Sequence, residues 1–116
     1  MTFAYTFAYI PARMSFEVHG FDWDEGNRAK CQTHGLSIEL IERLFTRPVA
    51  VFPDTEHSQK ERRFRAVGRT GKGRNVFIVF TLRQKGDEVL LRPISARCMH
   101  KKETEAYEKE NPNLQK

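Results

Sequence analysis

The sequence predicts an α+β domain in which N-terminal helices precede a curved four-stranded antiparallel sheet, a meander, and a C-terminal helix follows it. Three observations predict this. Two capped, helix-compatible stretches lie before Pro48, four β-rich runs fill the middle of the chain, and helix-compatible composition returns after Met99. Helices and strands segregated in this way, with short connections, give an antiparallel sheet with one face available for something else.

The elements follow in order. Residues 1–14 read as an extension of the core domain: they hold a direct repeat, Thr2–Tyr5 and Thr6–Tyr9, and Met14 opens more ordinary sequence. The domain itself is expected at 15–110, with a polar tail at 111–116. Alternation over Ser15–His19 predicts a short strand. Asp22 or Asp24 then caps a helix running toward His34, and Gly35 stops it. Ser37 caps a second helix whose Ile38, Ile41, Leu44 and Phe45 share one face, and Pro48 follows its end. The β-rich runs are Val49–Phe52, Phe64–Arg69, Val76–Arg83 and Val89–Ala96. Glycines in the Arg69–Arg74 break and the polar Gln84–Asp87 break predict hairpins, hence a meander. Met99–Glu110 forms the last helix, with Glu105 and Lys109 one turn apart, until Asn111-Pro112 ends it.

Bulk properties bound the function. A chain of 116 residues makes one domain. Its 20 Lys and Arg against 15 Asp and Glu leave a net charge of +5, which suits a polyphosphate or an acidic protein as partner. Two cysteines, Cys31 and Cys98, are too few for the disulfide framework of a small secreted domain, so free thiols in a reducing cytoplasm are expected. The apolar stretch Phe3–Ile10 lacks a basic start, and no segment approaches the ~20 apolar residues of a membrane span. A soluble, cytoplasmic protein without membrane contact is the expectation.

Basic residues cluster around the predicted sheet: Glu61-Arg62-Arg63-Phe64-Arg65 is followed by Arg69, Lys72 and Arg74. Guanidinium groups grip phosphates bidentately and aromatics stack on unpaired bases, so the cluster suits single-stranded RNA, with Phe64 assigned to the core. Strand alternation puts Thr81 and Arg83 on one face of their strand, with Phe77 and Val79, and Ser95 and Arg97 on one face of the next, with Val89 and Leu91. If the strands pair, these four polar groups are expected to converge at one sheet end. Arg65, Lys72, Arg74, Thr81 and Ser95 are the candidate RNA-binding residues.

Metal-free RNA cleavage needs a base for the 2′-hydroxyl proton, an acid for the leaving 5′-oxygen and fixed positive charge at the phosphate. His34, Glu61 and His57 are candidate proton carriers; Arg62, Arg63, Arg83 and Arg97 are candidates to stabilise charge; Tyr107 and His100 are candidates to orient or donate. The residues alone do not choose among them. The spacings Cys31-x-x-His34 and Cys98-x-His100 do not follow a structural-zinc pattern, and neither cysteine sits in a nucleophile motif, so neither metal nor cofactor is expected. A non-catalytic module gripping RNA or an acidic protein uses the same arginines, and RNA incubated in EDTA separates the two readings.

From Phe21 to Glu110 the sequence resembles the BrnT toxin family. The residues that carry the resemblance are Phe21-Asp22-Trp23-Asp24, His34-Gly35-Leu36-Ser37, Phe45, Pro48, Asp54, Glu61-Arg62-Arg63-Phe64, Gly68, Gly73-Arg74, Val79–Arg83, Ile94-Ser95-Ala96-Arg97, Glu103 and Tyr107. The sequence departs from the family between Asn27 and Thr33. There the register runs one residue shorter, Asn27 stands near a frequent lysine, and Lys30 is a candidate substitute. The resemblance implies a RelE-like fold, ribonuclease activity that arrests translation, and a heteromeric complex with a BrnA-type antitoxin, whose ribbon-helix-helix dimer binds operator DNA. It carries polar landmarks onto His34, Glu61, Arg62, Arg63, Arg83, Ser95, Arg97 and Tyr107.

Overall fold

A computed structural model describes residues 18–47, 49–54 and 61–110. Residues 1–14, Pro48, His57 and the tail 111–116 lie outside the described residues. So does most of the strand expected at Ser15–His19. The elements are β1 (Gly20–Phe21), α1 (Glu25–Gln32), α2 (Ile38–Leu44), β2 (Ala50–Asp54), β3 (Arg63–Arg69), β4 (Asn75–Lys85), β5 (Glu88–Cys98) and α3 (Lys101–Glu110). No helix among the described residues is long and apolar enough to cross a membrane.

Helix boundaries follow local chemistry. Asp24 caps α1 by accepting from the Asn27 amide at 3.0 Å, while Asn27 Oδ1 accepts from the Asp24 amide at 2.7 Å, which satisfies two otherwise orphaned donors. Gly35, at φ +86°, takes the left-handed conformation that turns the chain toward α2. Ser37 caps α2 through a 3.1 Å bond from the Leu40 amide. Between β3 and β4, Gly73 at φ +82° closes the hairpin in which the Thr70 amide donates to the Arg74 carbonyl.

The expected meander exists as β2-β3-β4-β5, all antiparallel, but the sheet corrects the expectation in one respect. It has five strands and is mixed, in the order β1-β5-β4-β3-β2, because β1 joins the edge of β5 in parallel. The His19 amide donates to the Val89 carbonyl at 2.8 Å and the Asp22 amide to the Leu91 carbonyl at 3.0 Å, so this short segment satisfies an edge that would otherwise stay open. A two-residue strand is too short to carry an alternation signal.

One face of the sheet carries the core. Val51, Phe64, Ala66, Val76, Ile78, Phe80, Leu91 and Ala96 pack against Cys31 of α1, Ile41 and Leu44 of α2, and the neighbouring Leu36 and Phe45. Phe64 stacks on Phe80 at 5.5 Å, and Phe45 meets the edges of Phe80 and Phe21. Each large side chain buried here stabilises the fold by roughly 1.5–3 kcal/mol before entropy. Among the described residues, α3 covers one end of the opposite face. There Tyr107 packs edge-on against Phe52, and Arg97 forms a bidentate pair with Glu103 at 2.8 Å for both bonds.

Candidate functional site

The face not used by the core is legible row by row from the strand register. Asp54, Arg63, Thr81 and Arg92 lie side by side across β2-β3-β4-β5; Phe52, Arg65, Val79 and Ser95 form the next row; Ala50, Val67, Phe77 and Arg97 form the third. Cross-strand partners point to the same face. Arg83 stands one row beyond the first, opposite Leu90.

This register overturns the expected convergence of Thr81 and Arg83 with Ser95 and Arg97. In an antiparallel pair the later residue of one strand meets the earlier residue of the next, so Arg97 lies beside Phe77, six residues from Arg83 along β4 and about 20 Å away. A bulge adds a second correction. The register shifts between Val79 and Phe80, leaving Ile94 as the extra residue on β5. Side-chain parity reverses there, so Val89 and Leu91 face the core while Ser95 and Arg97 face away from it.

A groove of about 670 Å³ opens at the Arg83 end, lined by the cap residue Asp24, by Glu25, Asn27 and Lys30 of α1, by Glu61 and Arg63 before and at the start of β3, and by Arg83 and Arg92. A second groove of about 440 Å³ adjoins it, with Lys30, Asp54, Arg63, Arg65, Val79 and Ser95 in its lining. Lys30 and Arg63 border both. The cations are held in place by carboxylates: Arg83 Nε lies 3.3 Å from Glu61 Oε2, Arg65 3.2 Å from the buried Asp54, and Arg92 2.6 Å from Asp24 and 3.5 Å from Asp22. Hydrogen bonds from the Asn27 amide and then from Arg92 hold the Asp24 carboxyl below its usual range, and Asp24 in turn raises Arg92.

The remaining sequence candidates are distributed differently. Thr81 is 1% exposed and donates its hydroxyl to the Arg62 carbonyl at 2.6 Å, so it anchors the Glu61-Arg62 segment to β4 and presents nothing to a ligand. Arg62 is exposed, its guanidinium 5.7 Å from the Phe64 ring centre. Arg97 is engaged by Glu103 and lies 5.3 Å from the Phe77 ring centre, which makes it the anchor of α3. Tyr107, whose hydroxyl is pushed up by burial, belongs to the same contact. His34 is exposed in the turn after α1, and His100 just before α3; neither lines a groove. Lys72 and Arg74 are exposed on the β3–β4 hairpin, at the opposite end of the sheet from Arg83. Among the described residues no three or more His, Cys, Asp or Glu side chains are grouped to hold a metal ion.

Sequence reasoning left Arg92 and Asp54 out of the site. Arg92 sits opposite Thr81, but its face was hidden by the Ile94 bulge. Asp54 closes the row beside Arg63, and its signal was the pairing of β2 with β3, which one-dimensional spacing does not reveal.

Residues 23–103 match the family model described as the ribonuclease toxin BrnT of type II toxin-antitoxin systems. No curated protein matches the chain.

Proposed function

The chain belongs to the BrnT family of ribonuclease toxins of type II toxin-antitoxin systems, and from that premise we propose a metal-independent endoribonuclease whose active groove is the Glu61–Arg63–Arg83–Arg92 cluster. The observation that carries this reading is that three guanidinium groups, those of Arg63, Arg83 and Arg92, line one open groove with Lys30 and the carboxylates of Asp24, Glu25 and Glu61, of which Glu61 is the one beside Arg83. The scissile phosphate sits against Arg63, Arg83 and Arg92, whose fixed charge stabilises the transition state. Glu61, held 3.3 Å from Arg83, takes the proton from the 2′-hydroxyl, which attacks the adjacent phosphate. Lys30, on the wall common to both grooves, is the proton donor to the leaving 5′-oxygen. Arg65 and Ser95 in the adjoining groove hold the neighbouring nucleotide. Glu61 is preferred to His34 as base because His34 lines neither groove.

The substrate is mRNA, whose cleavage arrests translation in the cytoplasm. The neutralising partner is a BrnA-type ribbon-helix-helix antitoxin, and operator DNA is reached only through it.

The test is cleavage of labelled RNA by refolded, antitoxin-free protein in EDTA. Products should end in a 2′,3′-cyclic phosphate, and a 2′-deoxy substitution at the cut should abolish the reaction. Glu61→Gln and Arg83→Ala should each lower kcat by a factor of 10²–10⁴ with the fold intact. Full activity in both variants refutes the assignment, and absence of cleavage by folded wild-type protein in every buffer identifies a binding module.

A further inference from the structure

Four cations at the groove end and four at the opposite end differ in their partners. At the groove end Arg65, Arg83, Lys85 and Arg92 all stand within 3.5 Å of a carboxylate. At the other end, Arg43 and Arg47 from the last turn of α2 and just beyond it, and Lys72 and Arg74 on the β3–β4 hairpin, are exposed and have no ion pair among the described residues. The two segments meet: Arg43 and Arg47 share a small cleft with Arg69, Thr70 and Gly71. Gly71 and Gly73 flank Lys72, and a Cβ at either would meet nothing within 4 Å, so the tip is open to close approach from both sides. Arg65, Arg83 and Arg92 must leave, or share, a carboxylate to bind phosphate. These four need give up only water and counterions.

We propose that the α2–hairpin end is a second RNA-binding surface, which grips the phosphate backbone outside the scissile step and supplies much of the affinity. The inference rests on the ribonuclease reading of the groove. Arg83 and Arg74 are separated by the length of β4 between them, roughly 27 Å, farther than a scissile dinucleotide reaches. The substrate is therefore a single strand several nucleotides longer than the cleaved step.

The experiment measures binding of fluorescent, 2′-O-methyl RNAs of 4 and 16 nucleotides to the folded, antitoxin-free protein across a salt series, for wild type and for Arg43→Ala/Arg47→Ala. Both substituted positions are exposed, and circular dichroism confirms folding. Wild type should bind the 16-mer at least tenfold more tightly than the 4-mer. The double variant should lose about tenfold on the 16-mer, stay within twofold on the 4-mer, and lower the log–log salt slope by about 1.4, from ~0.7 per phosphate contact for single strands. Unchanged 16-mer affinity, or equal loss on both lengths, overturns the proposal. If RNA binding is unchanged while affinity for the antitoxin falls, the surface is a protein interface and the proposal is again overturned. Cleavage of an unmodified 4-mer by wild type reports on the groove separately, so failure of the catalytic reading is distinguishable from failure of the second surface.

Discussion

Asn27 ties together more of the site scaffold than its short polar side chain suggests. It is 6% exposed, completes the cap of α1, and donates from Nδ2 to the carbonyls of Asp22 and Pro93, both at 2.9 Å. One amide therefore fixes the start of α1 against the strand that carries Arg92. Asn27→Ala should cost about 2–3 kcal/mol by urea unfolding, since it strands two buried acceptors and removes the cap contact. A loss below ~0.5 kcal/mol would show that water replaces the amide. In the sequence this position was read only as a place where relatives often carry lysine; spacing in an eight-residue helix does not tell a buried amide from an exposed one. Cys31, one turn later, is fully buried, and burial pushes its thiol from an ordinary 9.0 up to about 11. The folded chain thus keeps a proton that the unfolded chain releases. The stability this represents is complete below pH 9 and is lost as the pH rises through 11. At pH 8 iodoacetamide should label half-buried Cys98 well before Cys31, and comparable rates for the two would contradict the burial.

At the scale of elements, Gly68 sets how closely α2 approaches β3. A Cβ at this position would lie 3.2 Å from Leu44 Cβ and 3.3 Å from Val49 Cγ1, so Gly68→Ala should destabilise by about 1–3 kcal/mol through overpacking, seen as a lowered urea midpoint with an unchanged slope. No change in midpoint would mean that α2 shifts freely. The helix α3 is held differently, by polar contacts and one aromatic edge. The Arg97 guanidinium and the His100 amide hold the Glu103 carboxyl down at about 2, from an ordinary 4.5. Because the folded value is depressed, the stabilisation is present above pH 4.5 and is lost as the pH falls toward 2. Protection of the Lys101–Glu110 amides, taken relative to their intrinsic exchange rate at each pH, should therefore fall over that interval before protection in β4 does, and Glu103→Gln should abolish the difference; simultaneous loss in both elements would refute it. Capped helices and glycine hairpins were legible in the sequence because their signals are local. The pairing of β1 with β5 and the bulge at Ile94 were not, since both depend on what a distant strand presents. The antiparallel register separates Arg97 from Arg83, and the bulge is what puts Arg92 on the groove face.

For the whole molecule, the net charge of +5 conceals a balance that holds only near neutrality. The chain carries 20 Lys and Arg, and six of them, Arg65, Arg69, Arg83, Lys85, Arg92 and Arg97, are paired with carboxylates in the described residues. The Arg69–Glu108, Arg83–Glu61 and Arg97–Glu103 pairs are solvent-exposed on both sides, so each contributes little alone, and together the pairs keep the basic face from repelling itself. Acid removes that compensation: at pH 3 most of the 15 Asp and Glu are protonated, Glu103 excepted, and most of the Lys and Arg stand unopposed. The response to salt should then reverse sign. At pH 7, raising NaCl from 20 to 200 mM screens attractive pairs as well as repulsion, and the melting temperature should move little or fall slightly. At pH 3 the same change screens mostly repulsion and should raise it by several degrees, since a ~1 kcal/mol effect shifts a domain of this size by about 4–8 °C. Equal salt responses at both pH values would mean that the fold does not feel its own charge, and that the carboxylates lining the groove serve only to orient the arginines beside them.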